Sequence, residues 1–346
     1  MTWVDRIERI CARELDERAL RVALLAEIRA AVPCDAYAWL LTDPETCVGS
    51  APLAETPSLS DLPALIRLKY LTPTNRWTTL RSDVSATLVN TTDGHRSRSP
   101  VWAQLLKGYG IADVASIVFR DQYGCWGFLD LWRRDGPFSG HECELLSDLA
   151  RVVTPSLRRS LVSTFAYGLS DSDLQGGPVV VLLSDDLELL TQTPQTDSYL
   201  RALLPTDADR APVPAGAYNV AAQLLAQEGG VDAHPPWARV HLRAGLWVTL
   251  RAARMEGAAR VAGASIAVSI EPTGPTERTA FYARAIGLTA REAELLHHLV
   301  GGSDTRELAH RLYVSEHTVQ DHLKSIFEKA GVNSRRVLVA RATGAA

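Results

Sequence analysis

Apolar and polar positions change period several times along this chain of 346 residues, and the changes divide it. The opening is helical. Two segments lie there, and Leu20, Leu24 and Ile28 mark the buried side of the second behind Asp16, a good cap. Asp35 to Leu41 then alternates toward a strand, and Leu59 to Leu71 returns to the helical period. Val114–Phe119 and Trp126–Trp132, separated by a polar turn from Asp121 to Gly124, predict a hairpin. Ser139 followed by Glu142 is a capping box. Behind it Leu146, Leu149, Val153 and Leu157 line one side of a long helix that Pro155 should kink rather than end. Gly176, Gly177 and Pro178 break the chain. Val179–Leu183 and Leu187–Thr191 then predict a second hairpin, followed by a helical middle. Arg239–Arg254 and Arg260–Ile270 are two further strand patterns with no helix between them, so an antiparallel sheet is expected. Pro272, Gly274 and Pro275 mark a linker.

From Gly287 onward four short helical patterns sit end to end. Thr289 with Glu292 and Asp304 with Glu307 are capping boxes for the first two. Ser315 caps the third, Gly331 stops it, and Ser334 begins the fourth. Only Tyr313, Val314 and Ser315 separate the second helix from the third, which suits a steep crossing and predicts a helix-turn-helix. In the third helix Val319, Leu323, Ile326, Phe327 and Ala330 form one apolar stripe. The opposite side carries His317, Gln320, Asp321 and Lys324, side chains able to read base edges or touch phosphate. Leu308 and Leu312 point inward from the scaffold helix, and Ala309 is small enough for a close crossing. The agreement of caps, turn, stripe and polar face argues against a helical bundle with no partner.

Three motifs in this region are LTxRE (Leu288 to Glu292), TRELA (Thr305 to Ala309) and SExTVxxHLxxIxxKxGVxSR (Ser315 to Arg335). Over about residues 286–344 they resemble the LuxR-type helix-turn-helix of bacterial transcription regulators. The resemblance implies that Gln320, Asp321 and Lys324 approach bases. It also implies that Thr305, Arg306, Thr318, His322 and Arg335 hold phosphates, with Ser315 and His317 in the same DNA-facing set. The fourth helix, Ser334 to Ala342, would make a dimer contact. Position 320 is more often basic in that family and here is Gln320; Asp321 repels phosphate but can accept from cytosine N4. Residues 287–346 hold eight Lys or Arg against seven Asp or Glu, a balance of +1 that captures DNA poorly. Weak binding by one copy and dependence on a homodimer are therefore expected.

In the front part the succession WGFLDLWR (Trp126 to Arg133), FSxxE (Phe138 to Glu142) and LLxxLA (Leu145 to Ala150) resembles the end of a GAF domain, a small-molecule sensor module. The resemblance implies a sheet and flanking helices around a pocket, with Tyr37, Trp39, Trp102 and Trp126 as candidate lining residues. Core packing is the plain alternative for each. The hairpin, helical middle and second hairpin of residues 176–272 resemble a PAS-like domain. A phosphorylated receiver domain does not fit there, because Asp232 follows Gln227-Glu228-Gly229-Gly230, which is no strand.

The chain therefore reads as multidomain α+β. A GAF-like unit spans 1–166, a PAS-like antiparallel sheet 176–272, a linker and lead-in helix 273–285, and a four-helix LuxR-type helix-turn-helix 286–346. An apolar content of 46% and a net charge of −4 fit a globular, cytoplasmic protein, and no run of eighteen apolar residues suggests a membrane span. The start shows no apolar signal segment. Five cysteines without CxxC spacing, Cys11, Cys34, Cys47, Cys125 and Cys143, are expected to be reduced thiols packed as small hydrophobes. His297, His298 and His310 lack a carboxylate or thiol to complete a metal set, so no metal and no cofactor is expected. No phosphate loop or catalytic motif is present, and no enzyme is expected. The function expected is a sequence-specific transcription regulator that binds double-stranded DNA and responds to an effector of unknown identity. The alternative is a signalling adaptor working through protein contacts of its sensor units.

Overall fold

The structure is a computed structural model that describes residues 2–165, 178–203, 214–243, 245–255 and 266–344. The expected break at Gly176 and Gly177, the strand positions 260–265, and the boundary at 166 lie outside the described residues.

The first unit contains α1 (Trp3–Cys11), α2 (Glu17–Ala31), β1 (Ala36–Thr42), β2 (Gly49–Glu55), α3 (Leu62–Leu71), β3 (Ala86–Thr87), α4 (Leu88–Thr91), β4 (Asp113–Asp121), β5 (Gly124–Arg133) and α5 (Gly140–Ser160). Its five strands form an antiparallel sheet in the order β2-β1-β5-β4-β3. Successive strand residues face opposite sides, and here the parity decides everything. Trp39, Leu129 and Ile117 pair across three strands and pack under α2 and α5 with Leu24, Ile28, Leu149 and Val153. Their neighbours Ala38, Asp130 and Ser116 form the adjacent row on the other face, toward α3. The helix α3 begins three residues later than its apolar pattern, because Pro63 sits in its first turn, where a missing N–H costs nothing. The helix α5 runs unbroken through Pro155.

The second unit contains β6 (Val179–Leu183), β7 (Leu189–Gln192), α6 (Thr196–Leu203), α7 (Ala215–Glu228), β8 (Trp237–Arg243), β9 (Leu246–Arg254) and β10 (Ile266–Pro272). One expectation is corrected here: the single strand pattern Arg239–Arg254 is two strands. The chain reverses at Gly245, whose φ of +79° suits a residue without Cβ. The sheet order is β7-β6-β10-β9-β8, all antiparallel. Both sheets thus follow one permutation, second-first-fifth-fourth-third, though the sequence shows no internal repeat.

The last part is α8 (Pro275–Ala285), α9 (Ala290–Val300), α10 (Thr305–Leu312), α11 (Glu316–Ala330) and α12 (Arg335–Thr343). The lead-in helix α8 is a packed element. Phe281 meets Phe165 and Trp247 edge-on at 5.6 and 4.7 Å, and Tyr282 and Ala285 are buried. It also packs against α9 and α12. Among the described residues no helix is long and apolar enough to cross a membrane.

The two sheet units are joined by buried polar groups. The Arg239 guanidinium donates to both Asp43 carboxylate oxygens at 2.7 and 2.9 Å, and the Arg239 N–H donates to the same group at 3.0 Å. Arg76 donates to Asp232 at 2.7 Å and to Gln223 of α7 at 2.9 Å. One side of α7 packs on β9 and β10, and the other meets β2 and α3 of the first unit.

Candidate functional site

The C-terminal helices are built as their caps foretell. Thr289, Asp304, Ser315 and Ser334 each accept the N–H three residues on, and the first two belong to complete capping boxes. The crossing between α10 and α11 is made by Tyr313, which takes the left-handed conformation at φ +54° and leaves its ring 93% exposed. The N–H of Val314 then donates to the Ala309 carbonyl at 3.0 Å, satisfying an end of α10. Nothing in the residue type announced a left-handed tyrosine. Leu308, Leu312, Val319, Leu323, Ile326 and Ala330 are buried between the helices, and Phe327 is half-buried.

That packing fixes the direction of the other face. His317, Gln320, Asp321 and Lys324 are exposed on α11, with Thr318 and His322 partly so. The structure brings Thr305 beside this face, since the Gln320 amide donates to the Thr305 hydroxyl at 3.5 Å. His317 lies 3.8 Å from Asp321 on the same face. Ser315 and Thr318 hydroxyls are 2.8 Å apart at the start of the helix, and Arg306 is exposed on α10. Arg335 is half-buried, its guanidinium donating to the Ser303 carbonyl. The inner residues of α12, Leu338 and Ala342, are fully buried and α12 packs on α8, while Val337 is exposed.

Glu292 has a second task beyond its capping box. It is buried and accepts from Lys329 at 2.5 Å and from Ser325 at 2.7 Å, tying α9 to α11. Burial opposes its charge, but the hydrogen bonds from Lys329, Ser325 and Thr289 outweigh it and hold the carboxyl at about 2, below the ordinary 4.5. A carboxyl depressed in the folded state stabilises above its unfolded value, and the contribution is lost as pH falls from about 4.5 toward 2. The contribution is on the order of 3 kcal/mol at neutral pH. Glu292→Gln is therefore expected to lower the unfolding midpoint of these helices at pH 7 and to make little difference near pH 2, measured by chemical denaturation across pH. Equal losses at both pH values would refute the assignment.

The first unit holds a cavity of about 200 Å³ between the sheet and α3. Ala38, Leu40, Ser116, Phe128 and Asp130 line its sheet side, and Leu65, Ile66 and Lys69 its helix side. None of the four aromatic residues expected there lines it. Tyr37 and Trp39 occupy the other parity of β1, under α2 and α5, and Trp39 stacks on Phe119 at 5.2 Å. Trp126 sits where the β4–β5 register shifts, and that irregularity turns it toward Phe281 at 6.3 Å. Trp102 packs outside the cavity and its indole N–H donates to the Ile111 carbonyl at 2.8 Å. The alternation along β1 was visible in the sequence; which parity met the cavity was not.

A row that sequence reading did not find joins Cys47, His234 and Asp232. The Cys47 Sγ is 3.7 Å from His234 Nε2, and His234 Nδ1 is 2.6 Å from Asp232. Cys47 is buried, and its thiol is pushed up by a hydrogen bond with Cys125 and by burial, so the row presents no thiolate nucleophile.

Residues 287–342 match the family described as bacterial regulatory proteins, luxR family, and residues 19–157 match the GAF domain. A stretch of 53 residues is 45% identical to the probable transcriptional regulatory protein SgaR of Hyphomicrobium methylovorum, covering 15% of this chain and 25% of that protein. Another of 48 residues is 42% identical to the spore germination protein GerE of Bacillus subtilis, covering 14% of this chain and 65% of that one. The chain thus spans less than two thirds of the length of either relative. A crystal structure of Escherichia coli SdiA aligns over 99% of this chain and 97% of its own at 12% identity, with a TM-score of 0.36, a likeness too distant to bear on function. The chain carries a GAF domain followed by a C-terminal helix-turn-helix of the bacterial LuxR type.

Proposed function

We propose that the chain is a sequence-specific transcription regulator that binds operator DNA as a homodimer and responds to a small molecule held by its first unit. The division proposed is a sensor unit at 1–166, a second sheet unit at 176–272, a lead-in helix within 273–285 and a DNA-binding part at 286–346. One observation carries the reading: α11 is locked by its apolar stripe and turns His317, Gln320, Asp321 and Lys324 outward together. An α-helix presented this way fits the major groove, where such side chains distinguish base pairs. The proposal assigns Gln320, Asp321 and Lys324 to base edges and Thr305, Arg306, Ser315, Thr318 and His322 to the backbone, with His317 beside them. Arg335 would have to exchange its bond to Ser303 for a phosphate. The near-neutral charge of residues 287–346 supports a requirement for two copies, since one copy has little electrostatic hold. The name of the relative SgaR, a probable transcriptional regulatory protein, supports a regulatory role, and the cavity supports a small effector.

The test is selection of genomic DNA fragments by the full chain over a salt series, with and without a metabolite panel. A small set of fragments should be retained, with affinity falling as salt rises. If no fragment is enriched even at low salt, the DNA-binding proposal fails. If footprints keep the same affinity across the panel, the effector proposal fails alone.

A further inference from the structure

The cavity of the first unit is not closed by that unit alone. Ala215 and Asn219, both on α7 of the second unit, are part of its wall. Asn219 is 1% exposed, and its side-chain oxygen Oδ1 is buried with no hydrogen-bond partner among the described residues. A buried acceptor left unpaired is costly and rare, and one at a cavity wall points to a donor that belongs there. The charged groups of the wall are already matched. The Lys69 ammonium meets Asp130 at 2.6 Å, and the Ser116 hydroxyl donates to the same carboxylate at 2.7 Å. A ligand with a net charge would find no free counter-charge, and burying it unpaired is prohibitive. Most of the remaining lining is apolar, including Leu40, Ile66, Val114 and Phe128, and its other polar members, Thr56, Tyr70, Thr74, Asn75 and Ser99, are uncharged. At about 200 Å³ the space exceeds a cavity of about 150 Å³ that takes a benzene-sized guest.

We propose that the site is composite: the first unit supplies an apolar chamber for an uncharged small molecule, and Asn219 of the second unit accepts a hydrogen bond from that molecule's single donor. This rests on the reading of the cavity as an effector site and goes beyond it by naming the ligand class and the residue that reads it across the boundary. The consequence is mechanical. A filled chamber stabilises the seating of α7 on β2 and α3, and the far side of α7 rests on β9 and β10. Thr249 and Arg251 of β9 both contact Glu277 in the first turn of α8, the helix that packs on α9 and α12. A ligand can bias that chain of contacts only by its differential affinity for the two seatings.

The probes are p-cresol and p-xylene, nearly equal in shape and differing by a hydroxyl donor, titrated calorimetrically into the full chain and into Asn219→Leu. The ratio of p-cresol to p-xylene affinity is expected to fall on the order of tenfold in Asn219→Leu, with p-xylene affinity little changed. An unchanged ratio in a variant that binds both probes overturns the role of Asn219 and leaves the effector reading standing. If neither probe binds the unaltered chain, the effector reading of the cavity fails together with the inference. Should Asn219→Leu fail to fold, a crystal of the unaltered chain with p-cresol decides. The hydroxyl oxygen should lie within about 3 Å of Asn219 Oδ1, and a hydroxyl turned to any other partner overturns the proposal.

Discussion

Asp43→Ala is expected to destabilise the chain by about 3–5 kcal/mol, the cost typical of removing one partner from a buried ion pair. Arg239 is 2% exposed and Asp43 is fully buried. Glu45, at 3.2 Å from the guanidinium, is 44% exposed and cannot replace two direct carboxylate bonds and one to the backbone N–H. The loss should appear in urea denaturation as an earlier transition, because the pair joins the two sheet units. The Arg239 guanidinium also donates to the Glu277 carbonyl at 2.9 Å, so the start of α8 should loosen with it. Replacing both partners, Asp43→Leu with Arg239→Met, should recover much of the stability, since no charge is then left buried without its partner. A loss below about 1 kcal/mol for Asp43→Ala would show that water or Glu45 satisfies Arg239 after all.

The second large effect concerns DNA. Lys324→Ala is expected to weaken binding to a selected operator by about 1–3 kcal/mol, roughly five- to 150-fold, and to relax preference at the bases it meets. Arg306→Ala, at a proposed phosphate contact, should weaken all sequences alike and reduce the salt slope by about one. The two patterns separate base reading from backbone holding on the same domain. Lys324 is exposed, so its removal should leave unfolding unchanged. An adaptor that touches DNA incidentally would keep its activity in both variants, and that result would displace the transcriptional reading. Equal losses across operator and random DNA for Lys324→Ala would move that residue to the backbone set.

Local signals carried most of the C-terminal part. A capping side chain three residues before its acceptor, an apolar stripe at helical spacing and a glycine at a helix end act within one or two turns. Thr289, Asp304, Ser315 and Gly331 could therefore be placed without knowing what lies beside them. The hairpin of β4 and β5 was legible for the same reason. Glu292 shows the limit. Its capping role follows from position, but its bonds to Ser325 and Lys329 span 33 and 37 residues and depend on how α9 and α11 cross.

The sequence by itself determined where the C-terminal helices begin and stop, which face of α11 is apolar, and that the second sheet is antiparallel, because each of these rests on spacing within a short window. Only the tertiary structure decided which parity of β1 looks into a cavity, and so moved the candidate lining from Tyr37 and Trp39 to Ala38 and Leu40. It alone paired Asp43 with Arg239 across 196 positions and set Asn219 of one unit into the wall of another. The physical reason is the same in each case. A strand's alternation distinguishes its two faces but does not label them, and a lone charge or amide states a need for a partner without saying where on the chain that partner lies.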